Sequence, residues 1–193
     1  SVHGKKIRYN SIERVKTEID YWVDKRQVNT ISFNDDHFLF DVKRAIEICD
    51  YAGKKGVDIR FINGLAIAPI NAELVECFVR NKVKEVHLAL ESGSNRVLRE
   101  IIHKPLSLEK ANEVFNLFSH TDIFVRVFIV TGFPEETIED VEESLQFLRN
   151  ASFHWASISS PTPISGSYLL ENALNKGYIK EFDFSKISFF NEH

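Results

Sequence analysis

Along nearly its whole length the chain alternates between short β-rich runs and amphipathic stretches of helical period, and this alternation is its tightest constraint. The runs are "VNTISFN", "VDIRFIN", "VKEVHLALE", "IFVRVFIVTG" and "HWASISS". Between them apolar residues recur at spacings of three and four, as in helices with one buried face. Ile12, Val15, Ile19 and Trp22 mark a helix near 11–25 behind a Ser11 cap, and Val42, Ala45, Ile46, Cys49 and Ala52 mark one near 40–54. A third opens at Asn71 with Leu74, Val75, Phe78 and Val79; a fourth opens at Ser107 with Leu108, Ala111, Val114, Phe115 and Phe118. Thr137 and Asp140 have capping-box spacing ahead of Val141, Leu145 and Leu148, and a sixth helix is expected over 166–175. Strands separated this way predict βαβ units, an α/β fold and a parallel sheet.

Residues two apart on a strand share a face, and here the two faces differ. Ile31 and Phe33, Ile59 and Phe61, Val86, Leu88 and Leu90, Val125, Val127 and Ile129, and Ala156 and Ile158 are set to meet helices. The other face then carries Ser32, Asn34 and Asp36, Arg60 and Ile62, His87, Ala89 and Glu91, Arg126, Phe128 and Val130, and Ser157 and Ser159. A doubly wound sheet would strand these polar groups under helices at a cost of roughly kilocalories each. A closed barrel fills its interior with branched apolar side chains. A curved sheet around a polar guest gives them partners; the alternative is mutual pairing inside a plain core, Arg126 with Glu91 for example.

The bulk numbers set further bounds. At 193 residues, 44% apolar and 27% charged, the chain reads as one ordinary globular domain over 1–193. A net charge of -4 gives no electrostatic case for nucleic acid or an anionic membrane. No apolar run approaches the ~20 residues of a spanning helix, and "SVHGKKIRYN" lacks the apolar core of a signal peptide. A cytoplasmic location is therefore expected. The two cysteines, Cys49 and Cys77, fall in different helices with no CxxC pair, so both read as buried thiols rather than ligands or a disulfide framework. The chain has no methionine and begins with a helix, which reads as a segment whose opening strand lies upstream.

Ligands of parallel α/β sheets gather at the carboxyl ends of the strands. Here those ends are "NDD" (Asn34 to Asp36), "NGL" (from Asn63), "ESGSN" (from Glu91), "TGFPEET" (from Thr131) and "SSPTPISGS" (from Ser159). The small residues of "ESGSN" would suit a phosphate, but the Glu91 carboxylate repels one and suits hydroxyl donors such as a ribose diol. "TGFPEET" also reads as a plain turn and helix start. There is no nucleophile elbow, P-loop or HExxH pair, and no strand ends in a lysine placed for Schiff-base chemistry. Asp35, Asp36, His37 and Glu91 lack matched metal-ligand spacing, so neither a metal site nor a catalytic side chain is assigned. His120, His154 and His193 read as surface or packing residues.

Five segments in order carry a more specific message: "SFNDDHFLFD", "FINGLAIAPINAELVE", "VHLALESGSNRVLREIIHKPLS", "VRVFIVTGFPEETIEDVEESLQFL" and "SPTPISGSYLLENALNKGY". Together they resemble successive parts of radical S-adenosylmethionine (SAM) enzymes, above all the subgroup that often follows a cobalamin-binding domain. The likeness runs from Ser1 to about Tyr178. It implies a partial, open (β/α)6, TIM-like barrel of parallel strands whose first strand precedes Ser1. It implies a CxxxCxxC loop holding a [4Fe–4S] cluster that cleaves SAM to a 5′-deoxyadenosyl radical. "SVHGKKIR" is similar to the tail of that loop, which places the last cysteine just before Ser1. The chain then reads as the core of a larger enzyme, inactive by itself, with cobalamin in an upstream domain as a further implied cofactor.

The resemblance also implies roles for individual residues. Asn34, Asp35 and Asp36 match the position that meets the methionyl ammonium of SAM, and Glu91 and Ser92 the position near its ribose and methionyl group. Arg126 would take the methionyl carboxylate through its guanidinium fork. Phe128, Ile129 and Thr131, with the "GFPEE" turn that follows, match the adenine-contacting strand, and Ser159 and Pro161 would close the adenine side. The family's Pro-x-Pro-Gly-Thr stands here as Pro161, Thr162, Pro163, Ile164 and Ser165. Partners are then SAM and a small-molecule substrate of unassigned identity. Two other functions fit the same residues: a SAM- or partner-binding module without a cluster, and an unrelated barrel enzyme acting on a phosphorylated metabolite.

Overall fold

The computed structural model describes residues 7–180; His193 and most of the "SVHGKKIR" segment lie outside them. Helix α1 (Ile12–Asp20) precedes strand β1 (Thr30–Phe33), followed by α2 (Val42–Lys54), β2 (Asp58–Ala66), α3 (Ala72–Arg80) and β3 (Val83–Glu91). Helix α4 (Leu108–Ser119), β4 (Phe124–Val130), α5 (Ile138–Asn150), β5 (Trp155–Ser159) and α6 (Tyr168–Asn175) complete the series. The strands form one open sheet in the order β1-β2-β3-β4-β5, and every neighbouring pair is parallel. Because the order never reverses, crossovers of one hand carry every helix to the same side. The sheet is therefore a wall of barrel type, with one face left without helices.

The expected capping chemistry is present. Ser11, Asn71, Ser107 and Thr137 each accept a hydrogen bond from a backbone N–H three residues on. Thr137 and Asp140 form the reciprocal capping box. Val86, Leu88 and Leu90 are fully buried against the helices, as are Ile59, Phe61, Val125 and Val127 to within 1%. Phe61 centres an aromatic cluster, with ring centroids of Phe38, Phe78 and Phe33 at 4.8, 5.0 and 5.4 Å.

Departures from the expected pattern have local causes. The α-helix at the start ends at Asp20 and continues as a π-helical turn, Tyr21–Lys25, whose wider winding turns Trp22 out of the apolar stripe to 51% exposure. Val79 is also exposed, at the open margin between α3 and α4. Ile158 is exposed because β5 is an edge strand. Strand β2 does not stop at Asn63 but runs on through Gly64 to Ala66.

The "ESGSN" loop shows how the strand tips are fixed to the helix layer. An added Cβ at Gly93 would stand 2.6 Å from Ser144 Cα and 2.9 Å from its carbonyl oxygen. Backbone cannot yield as a flexible side chain can, so α5 must shift to admit it. Gly93→Ala is expected to cost about 1–3 kcal/mol, as over-packing does, read as a lowered urea midpoint with unchanged slope.

Candidate functional site

The helix-free face is built from rows of register-paired residues. His87 pairs with Arg126 and Arg126 with Trp155; one step up, Ala89 pairs with Phe128 and Phe128 with Ser157. Above these lie the strand tips, where two irregularities shape the rim. Phe61 pairs with Val86 and Leu65 with Leu88, so Ile62, Asn63 and Gly64 together oppose the single residue His87. This bulge bends β2 and aims Asn63 at the end of β1. There the Asn63 side-chain amide donates to Asp36 Oδ1 at 2.9 Å and to the Asn34 carbonyl at 3.3 Å. Gly64 has φ +83°, which disfavours any side chain, and a Cβ on it would stand in ordinary contact with the Phe128 ring at 3.4 Å and Ala89 at 3.6 Å.

The second irregularity is at Glu91. Ala89 pairs with Phe128 but Glu91 with Ile129, so one extra residue of β3 is accommodated. Glu91 has φ +72°, the left-handed region that a side chain other than glycine occupies only at a cost. Its carboxylate accepts from Lys104 Nζ at 3.1 Å, and both side chains remain partly exposed, at 25% and 20%. Lys104 is returned to the rim by its own backbone, whose N–H donates to the Leu98 carbonyl at 2.8 Å. Arg126 is thus not the partner of Glu91.

Beyond β4, Glu136 gathers the turn. Its Oε2 accepts from Thr131 Oγ1 at 3.0 Å, from Phe133 N at 3.3 Å and from Gly132 N. Gly132 has φ +98° and lies beside Ser160 and Pro161 of the next tip. Thr131 N donates to the Ser159 carbonyl at 3.0 Å, and Ser159 Oγ to the Ile129 carbonyl at 3.3 Å.

The expected site residues therefore separate into groups. Asn34, Asp36, Glu91, Phe128, Thr131, Ser159 and Pro161 lie along the rim or the face below it. Asp35 is exposed, and its Oδ1 is engaged within its own loop, accepting from His37 N at 2.8 Å. Ile129 offers only its main chain, because its side chain is 2% exposed on the helix side. Ser92 does not join the group: it is fully buried, shares a 3.2 Å hydrogen bond with Ser144 Oγ of α5 and accepts from Ser94 N at 3.1 Å. The left-handed bend at Glu91 sends the chain, and Ser92 with it, under α5. Arg126 is on the right face but three residues below the level of Glu91, which is about 10 Å along a strand. The sequence marks Asn63 and the turn holding Glu136 only as parts of strand ends, and gives no individual role to Asn63, Lys104 or Glu136.

No group of three or more His, Cys, Asp or Glu side chains able to hold a metal occurs among the described residues. Cys49 and Cys77 are fully buried in α2 and α3. Cys77 Sγ donates toward Asp50 Oδ1 at 3.7 Å and is met by Asn81 Nδ2 at 3.4 Å. The neighbouring Cys77 thiol, and after it burial, push the Cys49 thiol well above its ordinary range. Two thiols buried inside the helix layer do not fit a [4Fe–4S] cluster, which needs several thiolates converging. SAM is a different matter: the rim offers a carboxylate, an amide and carboxylate pair, and a ring kept clear by glycine. None of the helices among the described residues is long and apolar enough to cross a membrane.

A face of this kind, on a singly wound parallel sheet, matches a known superfamily. Residues 2–148 match the Radical SAM superfamily, and the chain belongs to it. Over 182 residues it is 28% identical to cytidylyl-2-hydroxyethylphosphonate methyltransferase of Streptomyces wedmorensis, covering 91% of this chain and 34% of that protein. It is 26% identical to an uncharacterized methyltransferase of Pyrococcus horikoshii, over 95% of this chain and 40% of the relative. The chain thus spans between a third and two fifths of the length of these relatives. In fold it is similar to the radical SAM methyltransferase TsrM of Kitasatospora setae, solved with cobalamin and a [4Fe–4S] cluster, at TM-score 0.69, 12% identity, 80% of this chain and 32% of that one. It is also similar to the cobalamin-dependent radical SAM enzyme OxsB, at TM-score 0.65, 18% identity, 89% of this chain and 26% of that one. These neighbours share the open, partial TIM-like barrel.

Proposed function

We propose that this chain is the SAM-binding barrel of a radical SAM enzyme, with the strand-tip rim as its SAM site. The observation that carries the reading is Glu91, a carboxylate held at φ +72° on a bulge in the middle of that rim. Backbone strain persists where surrounding structure enforces it, and it clusters at ligand clamps. Glu91 would accept from the ribose hydroxyls, and Asp36, oriented by Asn63, would meet the methionyl ammonium. Phe128, with the Gly64 side left open, would flank the adenine, while the main chain of Ile129 to Thr131 and the Ser159 to Pro161 tip would enclose its edge. Glu136 would fix that turn without touching the ligand. Lys104 would hold the Glu91 carboxylate in place and supply the positive charge nearest the methionyl carboxylate.

SAM supplies a 5′-deoxyadenosyl radical when it is reductively cleaved. The described residues offer no converging thiolates for the cluster that the family uses for cleavage, so that cluster, and cobalamin where it is used, would have to be held by residues other than these. The relatives' names make methyl transfer the chemistry to test. Full-length protein, reconstituted anaerobically with iron and sulfide, is expected to bind SAM at equilibrium and to release 5′-deoxyadenosine under reduction. SAM binding without 5′-deoxyadenosine would favour a non-catalytic module, and retention of phosphate in place of SAM would favour the phosphorylated-metabolite enzyme.

A further inference from the structure

Below the rim, the same face carries a group of charges that the SAM site does not use. Glu85 and His87 project from β3, Arg60 from β2 and Arg126 from β4. His87 is 6% exposed. Its Nε2 lies 2.7 Å from Glu85 Oε1, so the ring donates there and the carboxylate accepts. Glu85 Oε2 faces the Arg60 guanidinium at 3.7 Å. Phe128 meets the His87 ring edge-on, with centroids 5.2 Å apart.

Two buried atoms in this group have no hydrogen-bond partner: His87 Nδ1 and Arg126 Nε. They belong to residues paired directly across β3 and β4. Arg126 makes no ion pair with any described carboxylate, since Glu85 is taken by Arg60 and His87, and Glu91 by Lys104. A buried guanidinium Nε–H without an acceptor is costly, and buried polar atoms are otherwise nearly always bonded. Two guanidinium groups against one carboxylate leave this floor with a positive excess.

We propose that Arg126 and His87 form a binding site for an oxyanionic group of the substrate, a carboxylate or a phosphate, on the barrel floor beneath SAM. This deepens the SAM-site reading above and rests on it for the identity of the upper ligand. Arg126 Nε–H donates to the anion. His87 Nδ1 completes the contact, by donating from the imidazolium or by accepting from a hydroxyl on the same group. The substrate would then enter with its charged end down, presenting its reactive carbon to the rim about 10 Å above, the rise of three strand residues. Arg126 would serve the substrate and not the methionyl carboxylate of SAM.

Trp155 is the register partner of Arg126 and is 57% exposed, so its fluorescence can report on the floor. The Trp155→Phe variant of the full-length protein serves as the blank, so that the difference in emission between the two belongs to Trp155. Inorganic phosphate and acetate, titrated separately at constant ionic strength, distinguish a phosphate site from a carboxylate site. The expected result is a saturable change in Trp155 emission with one of them. Arg126→Gln should weaken it about tenfold or more, the scale of a lost hydrogen bond to a charged group, while SAM affinity stays unchanged. Arg126→Lys, which keeps charge and stem but lacks Nε, should show an intermediate loss and serves if the glutamine variant misfolds. The same anion response in both Arg126 variants, or no saturable response to either anion, overturns the proposal. A tenfold loss of SAM affinity in Arg126→Gln also overturns it, returning Arg126 to SAM and leaving the SAM site standing. Failure of the SAM site itself would appear separately, as SAM affinity unaffected by changes at Glu91.

Discussion

Replacing Asp140 by alanine is expected to lower the melting temperature by roughly 6–12 °C, corresponding to about 3 kcal/mol in a domain of this size. Asp140 is 4% exposed, yet its carboxylate is the junction of three segments. It accepts from Thr137 N at 2.9 Å as the capping box of α5, from Ser94 Oγ at 3.0 Å in the loop after β3, and from Arg96, whose Nε lies at 3.0 Å. Arg96 Nη2 also donates to the Glu135 carbonyl at 3.0 Å, which ties in the turn after β4. Alanine removes every acceptor at once and leaves buried donors unmet. We take the lower end of the range for a broken buried pair because Arg96 is 38% exposed. Asp140→Asn should lose less, since an amide oxygen can still cap the helix.

The same carboxylate sets an acid limit. The Arg96 guanidinium, and after it the Thr137 and Ser94 hydrogen bonds, hold Asp140 far below the usual carboxylate range against the opposing effect of burial. A depressed folded-state pKa contributes stability that is fully present above the unfolded value, roughly 3.9. That contribution is lost as pH falls from there toward the folded value. The gap in stability between the natural protein and Asp140→Ala should therefore be constant from pH 5 to 7, and should narrow steadily below about pH 4. A gap that instead widened on acidification would assign the stabilisation to another group.

The fold was legible because its signals are local. Ser11, Asn71, Ser107 and Thr137 cap helices where a short polar side chain precedes an apolar stripe, and the period of two in β3 and β4 separates the faces correctly. The site was less legible because it depends on interruptions of that period. Strict alternation puts Ile62 on the inner face and Asn63 on the outer one, but the two extra residues of β2 opposite His87 break the pleat locally, leaving Phe61 and Leu65 on the same buried face while Asn63 reaches the rim. Adjacency to Glu91 made Ser92 a candidate, yet a left-handed residue reverses the chain's direction and carries Ser92 beneath α5. Lys104 follows Glu91 by thirteen positions through a π-helical turn, Val97–Ile101, and no spacing rule joins the two. The one cue to these features was composition: Asn63-Gly64 inside a strand pattern marks a bulge.

Glu91→Gly should separate the strain at the rim from the fold beneath it. Glycine occupies φ +72° freely, so the substitution relieves a left-handed cost of about 1 kcal/mol. It also adds freedom to the unfolded chain, an opposing effect of similar size. Net stability is thus expected to change by less than about 1 kcal/mol, although an ion pair with Lys104 is lost, because that pair is partly solvated. SAM affinity, measured by calorimetry on the full-length protein, is expected to fall about tenfold or more as the ribose hydroxyls lose a charged acceptor. Glu91→Gln, which keeps the shape and one acceptor, should fall between the two. If Glu91 instead serves the fold, glycine should destabilise the protein and leave the affinity of the folded fraction intact. A residue whose loss leaves stability nearly unchanged but costs affinity is one retained for its ligand, and those two measurements together decide whether Glu91 is such a residue.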